Sequence, residues 1–79
     1  MDRFFGIYRA VVVEDRDPLL MRRLQVLVPD VLGNVPSSWA SACVPAGSRR
    51  QPKVGSGVWV MFERGDPDYP VWIGAMVSN

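Results

Sequence analysis

Breaks come too often along this chain for a long helix to fit between them. Seven glycines and seven prolines fall within 79 residues. Proline removes a backbone donor and clashes with the preceding helical turn, and glycine costs helical order, so both punctuate the chain. The segments between them read as strands. Phe5 to Val13 opens the series, with Val11-Val12-Val13 a β-branched run of high strand propensity. It is apolar on both faces, with Ile7, Val11 and Val13 on one and Tyr8, Ala10 and Val12 on the other. A strand of that kind is covered on both sides or bends around a barrel corner. Glu14-Asp15-Arg16-Asp17-Pro18 ends it with turn chemistry.

Arg22 to Val28 alternates, with Leu24, Val26 and Val28 on one face and Arg23, Gln25 and Leu27 on the other. Pro29 cannot donate to a ladder and closes this strand. Trp39 to Val44 predicts a short third strand between Pro36-Ser37-Ser38 and Pro45-Ala46-Gly47. A polar loop, Ser48 to Gly55, leads to a fourth strand from Gly57 to Glu63. Its alternation sends Val58, Val60 and Phe62 inward and Trp59, Met61 and Glu63 outward. Arg64-Gly65-Asp66-Pro67-Asp68 then turns the chain into a fifth strand, Val71 to Val77, as a hairpin. No internal repeat is visible. Five short strands predict an all-β chain forming a small five-stranded barrel whose edges close on themselves.

Length allows one domain, residues 1–79, and no second. With 48% hydrophobic and 22% charged residues, the composition is that of a folded chain rather than a disordered tail. A domain this small buries only about 60–65% of its unfolded surface and is marginal without a staple. Cys43 is the single cysteine, so no internal disulfide forms, and the lack of histidine removes the usual zinc arrangements. Burial against partners is the remaining remedy. Trp59 and Met61, on the outward face of the fourth strand, suit it, since tryptophan anchors interfaces and methionine adapts to irregular ones. Trp72 or its neighbours Val71 and Ile73 must also face outward, because the last strand is apolar in both registers.

Catalysis is not expected, and neither is a cofactor or metal. General acid–base work lacks its histidine, and Cys43 reads as a small core residue in an apolar strand with no activating base. Ser37-Ser38 reads as a turn. The acid pairs Asp15/Asp17 and Asp66/Asp68 have the composition of a calcium or hydrolytic site, yet each lies beside a proline, where aspartate forms turns. The turn reading is preferred.

A net charge of +1 exerts no overall pull on nucleic acid or an anionic membrane. Arg22-Arg23 and Arg49-Arg50-Lys53 are the basic clusters. The outward face Arg23, Gln25, Leu27 has no aromatic platform for stacking bases, so single-stranded nucleic-acid binding is the alternative function and not the leading one. No apolar run is long enough for a membrane span, and Met1-Asp2-Arg3-Phe4-Phe5 lacks a signal-peptide core. Synthesis in a cytoplasm is expected, where a free cysteine is ordinary.

The segment from Pro52 to Gly74 carries a pattern: Pro-x-Val-Gly, an apolar strand ending Phe-Glu, Gly-Asp-Pro-x-x-Pro, and an apolar strand ending in glycine. It resembles the OB-fold domain at the N-terminus of contractile-phage tail-spike proteins. The same domain occurs in type VI secretion spike (valine-glycine repeat) proteins and in phage-tail-like injection particles. Phe5 to Val12 resembles the family's opening strand, and Asp17-Pro18 followed by Arg23 to Pro29 its second. Val31-Leu32-Gly33, Trp39-Ala40 and Cys43 to Gly47 fit as well, so the likeness covers nearly the whole chain. Two local departures stand out. Relatives usually carry a glycine before the second strand's arginine, where Met21-Arg22 stands here, and the segment between Gly47 and Pro52 is short.

The resemblance implies a non-enzymatic structural subunit of the baseplate hub or central spike of a contractile injection system or phage tail. It implies a homotrimer around the particle axis, joined to hub and spike or needle proteins, with no nucleic acid and no stable membrane association. Family spikes continue into a β-helical needle and some carry a lysozyme domain. This sequence stops at Asn79, so the expectation is a standalone barrel whose needle is a separate protein. Trp59, Met61 and Trp72 are the expected contacts, with Arg49, Arg50 and Lys53 as a polar rim. Gly65, Asp66 and Pro67 form the expected structural turn. The finished protein would leave the bacterial cytoplasm as part of a virion-like particle.

Overall fold

Strands β1 (Tyr8–Glu14) and β4 (Gly57–Phe62) pair antiparallel at the centre of the sheet, Tyr8 opposite Val60 and Ala10 opposite Val58. The computed structural model describes residues 2–48 and 51–77. Strand β2 (Gln25–Leu27) lies antiparallel on the far side of β1, and β5 (Pro70–Ala75) antiparallel on the far side of β4. Strand β3 (Ser41–Ala42) runs parallel to β5 and completes the order β2-β1-β4-β5-β3. Leu24 and Ala40 then exchange backbone hydrogen bonds of 3.1 and 2.6 Å, tying the approach to β2 against the approach to β3. The two sheet edges meet there. The mixed sheet curls into a half-barrel, the small all-β OB fold expected from the strand pattern.

Alternation predicted the inner wall. Leu24, Val26, Val28, Val58, Val60 and Phe62 are buried, joined by Ala10, Val12, Ala40 and Trp72. Fully burying a side chain of the valine or leucine type contributes about 1.5–3 kcal/mol, so this wall is the main source of stability. Phe4, Tyr8 and Phe62 close one end with ring centroids 5.7–6.4 Å apart, the tilted and edge-on range aromatic pairs prefer.

Two bulges shape the curl. In β1, Val12 faces Val26 while Glu14 faces Gln25, leaving Val13 as the extra residue. In β5, Trp72 faces Val60 while Gly74 faces Trp59, leaving Ile73 as the extra residue. Each bulge bends its strand and sharpens the local twist. The doubly apolar first strand is thereby covered on its inner face and bent, with Ile7 and Val11 left exposed on its outer face.

Several boundaries differ from expectation. The second and third strands are shorter than their apolar runs, because ladder partners exist only over Gln25–Leu27 and Ser41–Ala42. β2 stops at Leu27, and Pro29 begins a one-turn helix, α1 (Pro29–Leu32), since proline at the first helical position lacks only a donor that would be unpaired there. Cys43 is exposed rather than in the core. Its amide still reaches the Trp72 carbonyl at 2.9 Å, but Ala42 takes the inward position and the pleat turns Cys43 out.

Candidate interaction surface

On the outer side of the sheet, alternate residues of β1, β4 and β5 stand in cross-strand rows. Arg9 faces Trp59, which faces Gly74, and Met61 faces Val71. The Arg9 guanidinium lies 5.0 Å from the Trp59 ring centroid, and one of its terminal nitrogens is 3.5 Å from the Met76 sulfur. A guanidinium over an indole face is attracted by the ring quadrupole, so Arg9 covers the Trp59 ring. Met61 and Val11 are exposed, Ile7 precedes β1 exposed as well, and Trp59 and Val71 are half-buried. Together they leave an apolar stripe around one capped tryptophan on the outside of the barrel.

Trp59 and Met61 therefore lie on one face, as the alternation of β4 predicted. Trp72 does not join them. Only 2% of it is exposed, and its indole N–H donates to the Arg22 carbonyl at 2.9 Å. Pairing of Trp72 with Val60, which points inward, puts it in the core; Val71, one residue earlier, takes the outward place. Lys53 is exposed at the other end of β4, in the turn where its carbonyl accepts the Ser56 amide at 2.9 Å. Arg49 and Arg50 lie outside the described residues.

The turn residues hold the β4–β5 hairpin. After a 3-10 turn, Glu63–Gly65, the Asp66 carbonyl accepts the Tyr69 amide and its carboxylate accepts the Asp68 amide, each at 3.0 Å. Gly65 has φ +75, and a Cβ there would come within 2.7 Å of the Phe5 ring. Its carbonyl also accepts the Phe4 amide at 2.8 Å, and Arg3 lies 3.7 Å from Asp66, so the N-terminal segment docks on this turn.

The β1–β2 loop is built around Asp17, which is nearly buried. Its carboxylate accepts amide hydrogen bonds from Leu19, Met21 and Arg23 at 2.9–3.1 Å and two more from the Arg23 side chain at 2.8 Å. The Arg23 guanidinium holds the carboxyl well below the ordinary carboxylate range; burial opposes this and the three amides reinforce it. The same pairing raises the pKa of Arg23. Arg23 also lies over the Trp39 ring at 5.5 Å. It is thus committed inside the protein, which removes it from the basic cluster a nucleic-acid reading would need.

Of the polar groups considered for catalysis, Ser37, Asp15, Asp17 and Asp66 are engaged in structural hydrogen bonds. Ser37 is buried, with its hydroxyl accepting the Val26 amide at 3.1 Å and donating to the Ser38 carbonyl at 2.6 Å. Asp15 accepts the Val54 amide at 3.3 Å. Among the described residues no group of three or more acidic, cysteine or histidine side chains is placed to hold a metal.

Sequence reasoning missed two features. Arg9 sits in plain alternation two residues from Val11, but nothing local marks it as the cap on a tryptophan 50 residues away. Leu19-Leu20-Met21 fell between the first turn and the second strand. Three consecutive apolar residues inside a turn were the available signal.

The family model of the type VI secretion system/phage-baseplate injector OB domain matches residues 8–76, from the start of β1 to one residue past β5. The chain belongs to this family. No curated protein matches it significantly. The injector OB domain is a structural baseplate and spike domain and not a known enzyme family, which assigns the chain a structural, baseplate-associated role. Membership also associates it with a phage or secretion particle. Among the described residues no helix is long and apolar enough to cross a membrane. Arg22, just before the Asp17 partner Arg23, adopts φ +61, a left-handed backbone that a residue with a Cβ resists.

Proposed function

We propose that this injector OB domain is a connecting subunit of the baseplate hub and central spike in a contractile injection system or contractile phage tail. It works as a homotrimer on the particle axis, bonded by protein–protein contacts to a hub on one side and a spike or needle protein on the other. It carries out no catalysis and binds no nucleic acid. It is made in the bacterial cytoplasm and ends as part of the particle.

The observation that carries this reading is the outer apolar stripe of Ile7, Val11, Trp59, Met61 and Val71 on a domain of this family. A group of exposed apolar side chains on one sheet face marks a contact surface. Arg9 over Trp59 gives it a preorganised centre, and aromatic anchors of that kind carry most of an interface's energy. Lys53, exposed on a neighbouring turn, supplies charge at the rim.

The test is particle assembly with Trp59→Ala and Met61→Glu. Both variants are expected to keep the wild-type circular dichroism spectrum, because neither side chain belongs to the core. Each is expected to weaken incorporation into particles isolated by density gradient, at a cost of at least ~2 kcal/mol for a hot-spot residue. Wild-type incorporation of both variants would overturn the role of this face. Light scattering of the purified wild-type chain at monomer mass, at every concentration reached, would overturn the trimer.

A further inference from the structure

The β1–β2 loop holds three consecutive large apolar side chains away from the protein. Leu19, Leu20 and Met21 are 64%, 90% and 60% exposed. The backbone beneath them is fixed from below by Asp17: its carboxylate takes the amides of Leu19 and Met21, and its carbonyl takes that of Leu20 at 3.0 Å. Leu20 (φ 54) and Arg22 (φ 61) both adopt left-handed backbone, which is unfavourable for any residue with a Cβ. Strain of this kind persists only where surrounding structure enforces it, and such sites concentrate where a protein makes contacts. A rigid loop that spends strain to expose leucine is a knob.

The same chain has a hole. A groove of about 450 Å³ runs between β5 and the segment after β3, lined by Val44, Pro45, Pro52, Trp72, Ile73 and Ala75. It exists because β3 pairs with β5 only at Val71 and Trp72, and the chain then swings away beyond Cys43. Knob and hole lie near each other. Gln51 borders both this groove and the hollow beside Leu20, and Trp72, in the groove wall, bonds to the Arg22 carbonyl at the root of the knob.

We infer that the Leu19–Met21 knob of one copy seats in the Val44–Trp72–Ala75 groove of the next copy, giving a head-to-tail contact that closes the ring. This rests on the trimer proposed above and names the surfaces that form it. A knob and a different, complementary hole on one chain make a heterologous contact, which propagates until the rotation closes. The fewer the copies in the ring, the closer together the two contact surfaces sit on each copy, and here they share a neighbour. The outer sheet face, with Trp59 and Met61, is then left free for hub and spike.

The experiment uses Leu20→Gly and Ala75→Trp, followed by sedimentation velocity. Leu20→Gly removes the most exposed side chain of the knob and relieves the left-handed strain, so the fold is kept; Ala75→Trp fills the groove at an exposed position. Each variant alone is expected to be monomeric where wild type is trimeric, with association weakened about 30-fold or more. Mixed one to one, they are expected to form a heterodimer and no larger species, because one intact knob meets one intact groove. Trimers of Leu20→Gly at wild-type strength, or a mixture that stays monomeric, overturn the inference and leave the trimer itself standing. A wild-type chain that is monomeric at every concentration overturns both.

Discussion

Arg23 grips the Asp17 carboxylate with two arms of its guanidinium, Nε to one oxygen and a terminal nitrogen to the other, each at 2.8 Å. Bidentate pairs of this geometry are among the strongest polar contacts in proteins. With three amides on the same carboxylate, the pair organises the whole turn from Asp17 to Arg23.

Acid is expected to weaken the protein through Asp17. Because its pKa is lowered on folding, its stabilising contribution is complete above the ordinary carboxylate value of 3.8 and is lost as pH falls below it toward the depressed native value. Asp17→Asn should lower the melting temperature clearly at pH 7 and progressively less below pH 3.8. Thermal melts across that range check this. A gap between the two proteins that is constant with pH would refute the assignment.

Trp72 joins the core to the β1–β2 loop through one indole hydrogen bond. Replacing it with phenylalanine keeps most of the apolar volume and leaves the Arg22 carbonyl without that donor, at a cost of about 1–3 kcal/mol. Trp72→Ala adds a cavity and should cost about 3–5 kcal/mol. Urea denaturation of the two variants measures both. A Trp72→Phe variant as stable as wild type would mean the hydrogen bond contributes nothing.

At Gly65 two effects add. Alanine there must hold φ +75, which costs roughly 1–2 kcal/mol, and its Cβ would overlap the Phe5 ring. Gly65→Ala should therefore destabilise the fold and also free the N-terminal segment, seen as faster amide exchange at Phe4. Unchanged exchange would separate that segment from the turn.

Arg22 is the opposite case. Its left-handed backbone suits glycine, so Arg22→Gly should be neutral or stabilise by up to about 1 kcal/mol once glycine's larger unfolded-state entropy is set against the relieved strain. A loss of stability would show that the arginine side chain contributes packing that outweighs the strain.

Val58, Val60 and Phe62, or Leu24, Val26 and Val28, could be placed on the inner wall from period-two alternation alone, because a strand turns successive side chains to opposite faces. The same rule put Trp59 and Met61 outside. It had no purchase on the last strand, apolar in both registers, where the bulge at Ile73 and the pairing of Trp72 with Val60 choose which residues are buried. Asp17 was recognisable as a turn former beside Pro18, but not as the anchor of a bidentate pair six residues away.

Frequent glycine and proline together with alternating apolar segments sufficed to determine an all-β chain of five short strands, and the order of its motifs the injector OB family. Those are properties of neighbouring residues, and local chemistry carries them. What only the tertiary structure decided depends on residues brought together from far apart. Leu24 meets Ala40 to tie the two ends of the curled sheet together, Arg9 covers Trp59, and Trp72 reaches Arg22 across the fold. Whether Leu20 is buried or held out as a knob rests on such contacts, because a leucine in a turn has the same local preferences in either case.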